Sequence, residues 1–532
     1  MSRKIFIRRR FFYSIFFVAG MAVVNLAGAD VAPSSEWVYR GPDGRLVYKT
    51  DGRGNRIPDF SNVGYRGGGV TLPDVPVKST VEPVAGDAGA QIQAAIDEVS
   101  SLTPDANGFR GAVLLKKGRY PIGGSLFVRA SGVVLRGEGQ NDDGTVLIAT
   151  GDRQRSLIVV GGKETRVATD EEGSNSASVF ENGPRCVITD DYVPVGAHRF
   201  HLDSVGGLKV GDEIVVKRPS TAVWIHDIGM DRIPPANHLV VQWKPGSKDL
   251  LFTRVITAID GNEVTVEAPI VNALDRKYGG GEVTLLARDN SLREIGVENL
   301  RGESEYKGVT DEKHGWVFID LLSVRDAWVR QVTSVHFGYS CVYVHKQSRA
   351  VTVDTCACLD PVSQITGGRR YSFALDGELT LVQHCYSRNG RHDFVMHALA
   401  TGPNVFFDCL AEKSHADSGP HHRWSVGVLY DNVRVLGAAG AKSSGGQLNI
   451  RNRGNLGTGH GWAGANQVAW NCVAEAMTVE QPPTAQNWAI GCVAKSCLGD
   501  GYWDSYGHPV QPQSLYLSQL HERLGATTPA QP

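Results

Sequence analysis

The sequence predicts an all-β chain built as a parallel β-helix, with a helix capping its start and an antiparallel β segment inserted between its coils. Three observations predict this. Glycine is abundant, 62 of 532 residues, while charged residues make up only 21%, the composition of a turn-rich β protein. One short amphipathic helix precedes a series of short β runs. Five later β runs then share one pattern, each with a cysteine at or near its end.

Residues 1–29 read as a signal peptide. Lys4 and Arg8 to Arg10 are basic, Phe11 to Val24 is apolar, and Ala27-Gly28-Ala29 supplies a small-residue cleavage signal. The apolar run is too short for a comfortable membrane span. The expectation is therefore a secreted or periplasmic bacterial protein with no membrane span. Residues 30–86 are a glycine- and aromatic-rich extension. Residues 87–188 hold the cap and the first coils. In DAGAQIQAAIDEVSSL, Ile92, Ala95, Ile96 and Val99 fall on one helix face, and the β runs of GAVLLKKGRYPIGGSLFVRASGVVLRGEG follow. Such a helix covers the exposed end of a solenoid. Residues 189–272, with VGDEIVV and RVITAIDGNEVTVEAPIV, read as the inserted antiparallel subdomain. Residues 273–510 carry the main coils and 511–532 a C-terminal tail.

The cysteine-bearing runs are AVTVDTCACLD, ELTLVQHCYSR, NVFFDCLAEK, QVAWNCVAEA and NWAIGCVAKS. VLYDNVRV is a related run near Asn432. From Cys356 through Cys385, Cys409, Asn432 and Cys472 to Cys492 the steps are 29, 24, 23, 40 and 20 residues. Coils of this length without intervening helices stack as a β-helix. The cysteines then form a buried, reduced column of small side chains, not disulfides.

The cap helix GAQIQAAIDEV, the following GAVLLKKGRYPIGGSLFV and GVVLRGEG, and the cysteine coils resemble the pectate-lyase-like superfamily. That resemblance implies a right-handed β-helix of the polysaccharide lyase or glycoside hydrolase type. It also brings in adhesins and phage proteins. By resemblance, Ca²⁺ is a possible cofactor, although no clear calcium loop is visible.

The cysteine column serves as a ruler for the site. Asp393 lies eight residues after Cys385, and Asp417 lies eight after Cys409. Arg391, His392 and Asp393 should therefore lie one strand spacing, about 4.8 Å, from His415, Ala416 and Asp417. Arg369 and Arg370 sit one coil earlier. Lys413, His421, His422 and Arg423 flank the group. Asp417-Ser418-Gly419-Pro420 is also a good turn formula, and Asp393 could cap a turn. In an extended strand His421 and His422 would face opposite ways, so at most one should reach the cleft.

Three chemistries fit the cluster. In β-elimination of a uronate polymer, Arg391, Arg423, Arg369 and Arg370 would neutralise the carboxylate. His415, His422 or Lys413 would take the proton. In a glycoside hydrolase, Asp393 and Asp417 would be the acid and base. In a metal site, His415, Asp417 and one of His421 and His422 would hold a transition ion such as Zn²⁺. Trp424, Trp462, Trp488, Tyr502 and Trp503 are either sugar-stacking rim residues or packing. GTGHGW at Gly457 to Trp462 reads as a glycine turn. Basic residues outnumber acids, which favours elimination on an anionic polysaccharide. A non-catalytic carbohydrate-binding β-helix is the rival of a different class. A net charge of -2 gives no footprint for nucleic acid.

Overall fold

The computed structural model describes residues 33–162, 185–286, 290–438 and 445–525. The expected signal peptide lies outside them. Among the described residues, no helix is long and apolar enough to cross a membrane.

The coils stack as expected into one parallel ladder of 29 strands. A typical coil has three strand positions. On the first wall Leu381–Gln383, Thr401–Phe407 and Ser425–Asp431 pair in parallel. On the second wall Tyr386–Arg388, Leu410–Ser414 and Arg434–Gly437 do the same. On the third, Tyr371–Leu375, His392–Met396 and Asp417–Pro420 are neighbours.

Between the first and second walls each coil bends at a residue in left-handed backbone. These are Gln331 (φ 53°), Thr355 (54°), His384 (52°), Asp408 (47°), Asn432 (56°), Asn471 (51°) and Gly491 (67°). Gly, Asn, Asp and His reach this region at least cost, which is why they recur just before the cysteines. The residue after each bend then points inward. Val332, Cys356, Cys385, Cys409, Val433, Cys472 and Cys492 are all 2% exposed or less. All nine cysteines are free. The thiols of Cys385 and Cys409 reach backbone carbonyls of the preceding coil, Val353 O at 3.7 Å and Val382 O at 3.5 Å.

Helix α1, Gly89–Ser101, buries Ile92, Ala95, Ile96 and Val99 over the first coils, the four positions its periodicity selects. The insert is a six-stranded antiparallel sheet whose strands lie between Arg185 and Leu285. It carries the short helix α2, Ala222–Asp227, capped by the Thr221 hydroxyl. The insert docks on the solenoid through a mixed core that joins Trp224, Phe252 and Val271 to Trp424 and Val426. At Gly427 (φ 67°) the approach is so close that a Cβ would lie 2.4 Å from the Val271 side chain. Arg254 is fully buried at this junction. It pairs with Glu378 at 2.9 Å and donates to the carbonyls of Gly402 and Pro269.

Residues 33–63 and the last described helix, α3, Leu515–Leu524, cover the first wall together. Trp37, Ile57, Phe60, Trp470, Trp488, Leu515 and Tyr516 share one core. Trp488 is therefore packing beneath this clasp. Asp431 anchors α3, accepting from Ser514 Oγ at 2.7 Å and Tyr516 N at 2.8 Å.

Candidate active site

The third wall carries a dense polar array on its outer side. Tyr371 pairs with His392 across neighbouring strands, and the register of the next pair sets residue 393 beside 417. After Pro420 the chain leaves the strand. Arg423 and Trp424 both take left-handed backbone, φ 57° and 61°, a conformation costing roughly 1–2 kcal/mol for each non-glycine residue. The turn leaves the rings of His421 and His422 with centroids 5.1 Å apart. Both histidines thus join the array, against the expectation of one, because the segment is not an extended strand.

The GHG turn contributes more than a turn. His460 lies 4.9 Å from His421 and 5.1 Å from His422. His392 is 4.6 Å from His421, and His397 is 5.8 Å from His422. All five rings belong to residues 6% exposed or less. Burial depresses the pKa of His421 and His422, and neighbouring Arg453 or His460 adds to the effect. His460 is pushed down to about 3 by burial, Arg453 and Arg423.

His392 is the best-oriented of these groups. Its Nδ1 donates to the Asp417 carbonyl at 2.6 Å and lies 3.2 Å from the Asp417 carboxylate. That fixes the tautomer and leaves Nε2 as the ring's lone-pair nitrogen. Nε2 is buried and has no hydrogen-bond partner among the described residues. Burial and Arg391 keep the ring neutral against the pull of Asp417. Asp417 is fixed in turn by Arg453 at 2.8 Å and Asn449 at 3.2 Å. Burial would raise its pKa, but Arg453 and His392 outweigh that and hold the carboxylate well below its usual range.

Tyrosines complete the array. Tyr371 Oη and His421 Nε2 are 3.0 Å apart. Tyr339 and Tyr343 hydroxyls lie 3.4 and 3.3 Å from His397, and Tyr343 donates to Asp376 at 2.7 Å. His345 stacks on Tyr343, with centroids 3.7 Å apart, and bonds Asp320 at 2.5 Å. Asp376, His345 and Lys346 are half-buried, so solvent reaches the array at this end. Cations gather beside it. Burial lowers the Lys248 pKa to about 8, with Arg423 and Lys346 adding to the shift. Lys346 is depressed by burial and Arg423, with Asp376 opposing.

Several residues singled out from the sequence stand elsewhere. Asp393 points into the solenoid, where its carboxylate accepts from Ser372 at 2.9 Å and Ser387 at 2.5 Å. The ruler gives its place along the coil correctly but not the direction of its side chain. Arg369 is held by Glu312 at 2.6 Å. Arg370 is buried against the Ser363 carbonyl at 2.5 Å. Lys413 is exposed on the second wall, beside an irregularity in strand pairing. His415 is half-buried at the corner near Arg370 and Asp393. Arg391 bonds the Gly367 carbonyl at the edge of the array. Trp424 is fully buried, stacked edge-on to Trp224 at 4.9 Å and bonded to Asn272. Trp462 donates to the Ile228 carbonyl. Both tryptophans serve the insert junction and do not form a sugar platform.

The metal readings do not fit the donors present. Asp417 is engaged by Arg453 and Asn449, and Asp393 by two serines. Among the described residues, no group of three His, Cys, Asp or Glu has an arrangement that could hold an ion.

The sequence reading did not select His397, His460, Tyr339, Tyr343, Tyr371, Asp376 or Arg453. A signal existed for one. The 24-residue step that links Asp393 to Asp417 also links His397 to His421.

No protein-family description matches the chain, and no curated protein does. Solved structures are similar at low identity. The tailspike protein gp49 from Pseudomonas phage LKA1 is 14% identical over 78% of this chain and 71% of its own, with TM-score 0.33. The tailspike protein of Escherichia coli bacteriophage HK620, in complex with a pentasaccharide, is 10% identical over 88% and 67%, TM-score 0.39. The catalytic domain of a GH87 alpha-1,3-glucanase in complex with nigerose is 9% identical over 84% and 69%, TM-score 0.35.

Proposed function

We propose that this protein is an exported carbohydrate-active enzyme that cleaves an acidic, uronate-containing polysaccharide by β-elimination. The observation that carries the proposal is His392. It is a neutral imidazole, oriented through Nδ1 by Asp417, with its Nε2 lone pair directed into a buried array beside Tyr371 and His421. The carbon next to a uronate carboxylate is a weak acid, so its proton leaves only if the carboxylate's charge is neutralised and a base is close. Arg423, Lys346 and Lys248 supply the positive charge. His392 takes the proton, the carbon–carbon double bond forms, and the bond to the leaving glycosidic oxygen breaks. Tyr371, hydrogen-bonded to His421, returns a proton to that oxygen.

A hydrolytic reading would draw on carboxylates other than the expected pair. Asp320 and Asp376 bond the stacked His345 and Tyr343, whereas Asp393 is inside the solenoid. The test is incubation with a panel of uronate and neutral polysaccharides, following both ultraviolet absorbance and reducing ends. Elimination raises both, and His392→Ala lowers kcat by about 10²–10⁴-fold with the fold intact by circular dichroism. Reducing ends without absorbance, lost in Asp320→Asn and Asp376→Asn, would establish hydrolysis instead. Binding without either product would leave a carbohydrate-binding β-helix.

A further inference from the structure

A cleft lies upstream of the histidine array on the same flank of the solenoid. It has a volume of about 650 Å³ and is lined by residues 151–152, 304–307, Asp311 and Lys313. Tyr306 stands in it 42% exposed. The loop that forms it is rigidly built. Asp311 accepts from the backbone of Lys307 at 2.8 Å and Lys313 at 2.9 Å. His314 is buried, bonded to Ser304 at 2.8 Å and to the Val362 carbonyl at 2.8 Å. Glu312 ties the same loop to Arg369, at the corner that leads into Tyr371.

The cleft and the array are therefore aligned. The cleft's loop runs into the third-wall strand Gly315–Leu322, which pairs with Ser340–Val344, and that strand pairs with Tyr371–Leu375. Tyr371, His392 and Asp417 lie two, three and four strands along. At about 4.8 Å per strand the two places are roughly 10–20 Å apart, within reach of one extended oligosaccharide.

Their chemistry differs. Cations and neutral imidazoles dominate the array, whereas the cleft sets Asp152, Glu305 and Asp311 against Lys307 and Lys313. A run of uronates would meet more acids than amines there. A neutral sugar would find an exposed aromatic face and both donors and acceptors for its hydroxyls. We infer that the Tyr306 cleft is a subsite for a neutral sugar. The polymer cleaved at the histidine array is then a mixed chain of uronate and neutral residues, not a homopolyuronate. This inference rests on the reading that the array acts on a polysaccharide.

The test is calorimetric binding in the His392→Ala background, so that turnover does not consume the ligand. The probes are fragments of a glucuronate-containing heteropolysaccharide with neutral hexoses, and oligogalacturonate of similar length. Tyr306→Ala weakens binding of the mixed fragments about fivefold to tenfold, the loss of one stacked aromatic contact. It leaves oligogalacturonate within about twofold, and Tyr306→Trp restores the mixed ligand. An equal loss on both ligands, no loss on either, or no binding of the mixed fragments overturns the inference. If the Tyr306-dependent preference is found while the wild-type protein generates no unsaturated product from any polymer, the subsite stands and the elimination proposal falls.

Discussion

His392, His421, His422 and His460 share a property that can be measured without a substrate. Each is shifted down, with burial as the largest cause. A histidine whose folded pKa is depressed stabilises the fold fully above its unfolded value near 6.5. That contribution is lost as pH falls towards the folded value, at about 1.4 kcal/mol per unit of separation. The melting temperature should therefore drop as pH is lowered from 7 to 5. His460→Gln should flatten that drop, because the ring that must charge is gone. For the same reason the acid limb of kcat should lie below pH 6.5, where an ordinary histidine base would already be protonated. A limb centred at 6.5 or above would mean that His392 is not the base. At this scale the sequence was legible in part. The cysteine spacing located His392, Asp417, His421 and His422 along their coils. It did not give the direction of Asp393, whose inward turn depends on the hydroxyls of Ser372 and Ser387 in three dimensions. Nor did it reach Tyr371 or His460, which arrive from a strand without a preceding marker and from a long glycine loop.

Among the elements, a buried charge pair adds to the apolar core that attaches the insert. Arg254 has no exposure and spends its donors on Glu378 and on carbonyls from both partners. Replacing it with Met leaves Glu378 without its cation in a buried junction, a change that costs about 3–5 kcal/mol. Urea denaturation of Arg254→Met should show that loss, and the double variant Arg254→Met with Glu378→Gln should recover part of it. Equal stability of the two variants would mean the pair is not coupled. The insert's existence was legible because its alternating strands differ in texture from the cysteine coils. Its docking was not. The contact uses Trp424 and Trp462, residues whose type alone reads equally well as a sugar platform.

For the molecule as a whole, Asp431 joins the coil stack to α3. Burial raises its pKa to about 7 against the hydrogen bonds from Ser514 and Tyr516. A carboxyl with a raised folded value contributes stability that is complete below its unfolded value near 3.9. That stability is lost as pH rises through about 7. The stability of Asp431→Asn relative to the wild type should therefore improve steadily between pH 4 and 7, as measured by thermal melts of both proteins. A constant difference across that window would show that the group does not change charge there. The repeating coils of this molecule were readable from a single-residue signal, a cysteine recurring at one phase of each coil. The clasp over the first wall was not, since its partners are hundreds of residues apart and carry no shared pattern.

That clasp has a topological consequence. Phe60 N donates to Gln519, 459 positions away, and Ser34 bridges Gln511. Coils can add to one another in order as the chain is made, each needing only its predecessor. The clasp is instead a late ring closure between distant segments. The polypeptide behaves as a nearly closed loop, so a circular permutant should be tolerated. It would join the end of α3 to the segment before Ser34 by a linker, keeping α3, and open at an exposed hairpin such as Asp260-Gly261. Such a permutant keeps every coil contact and turns the slowest pairing into a local one.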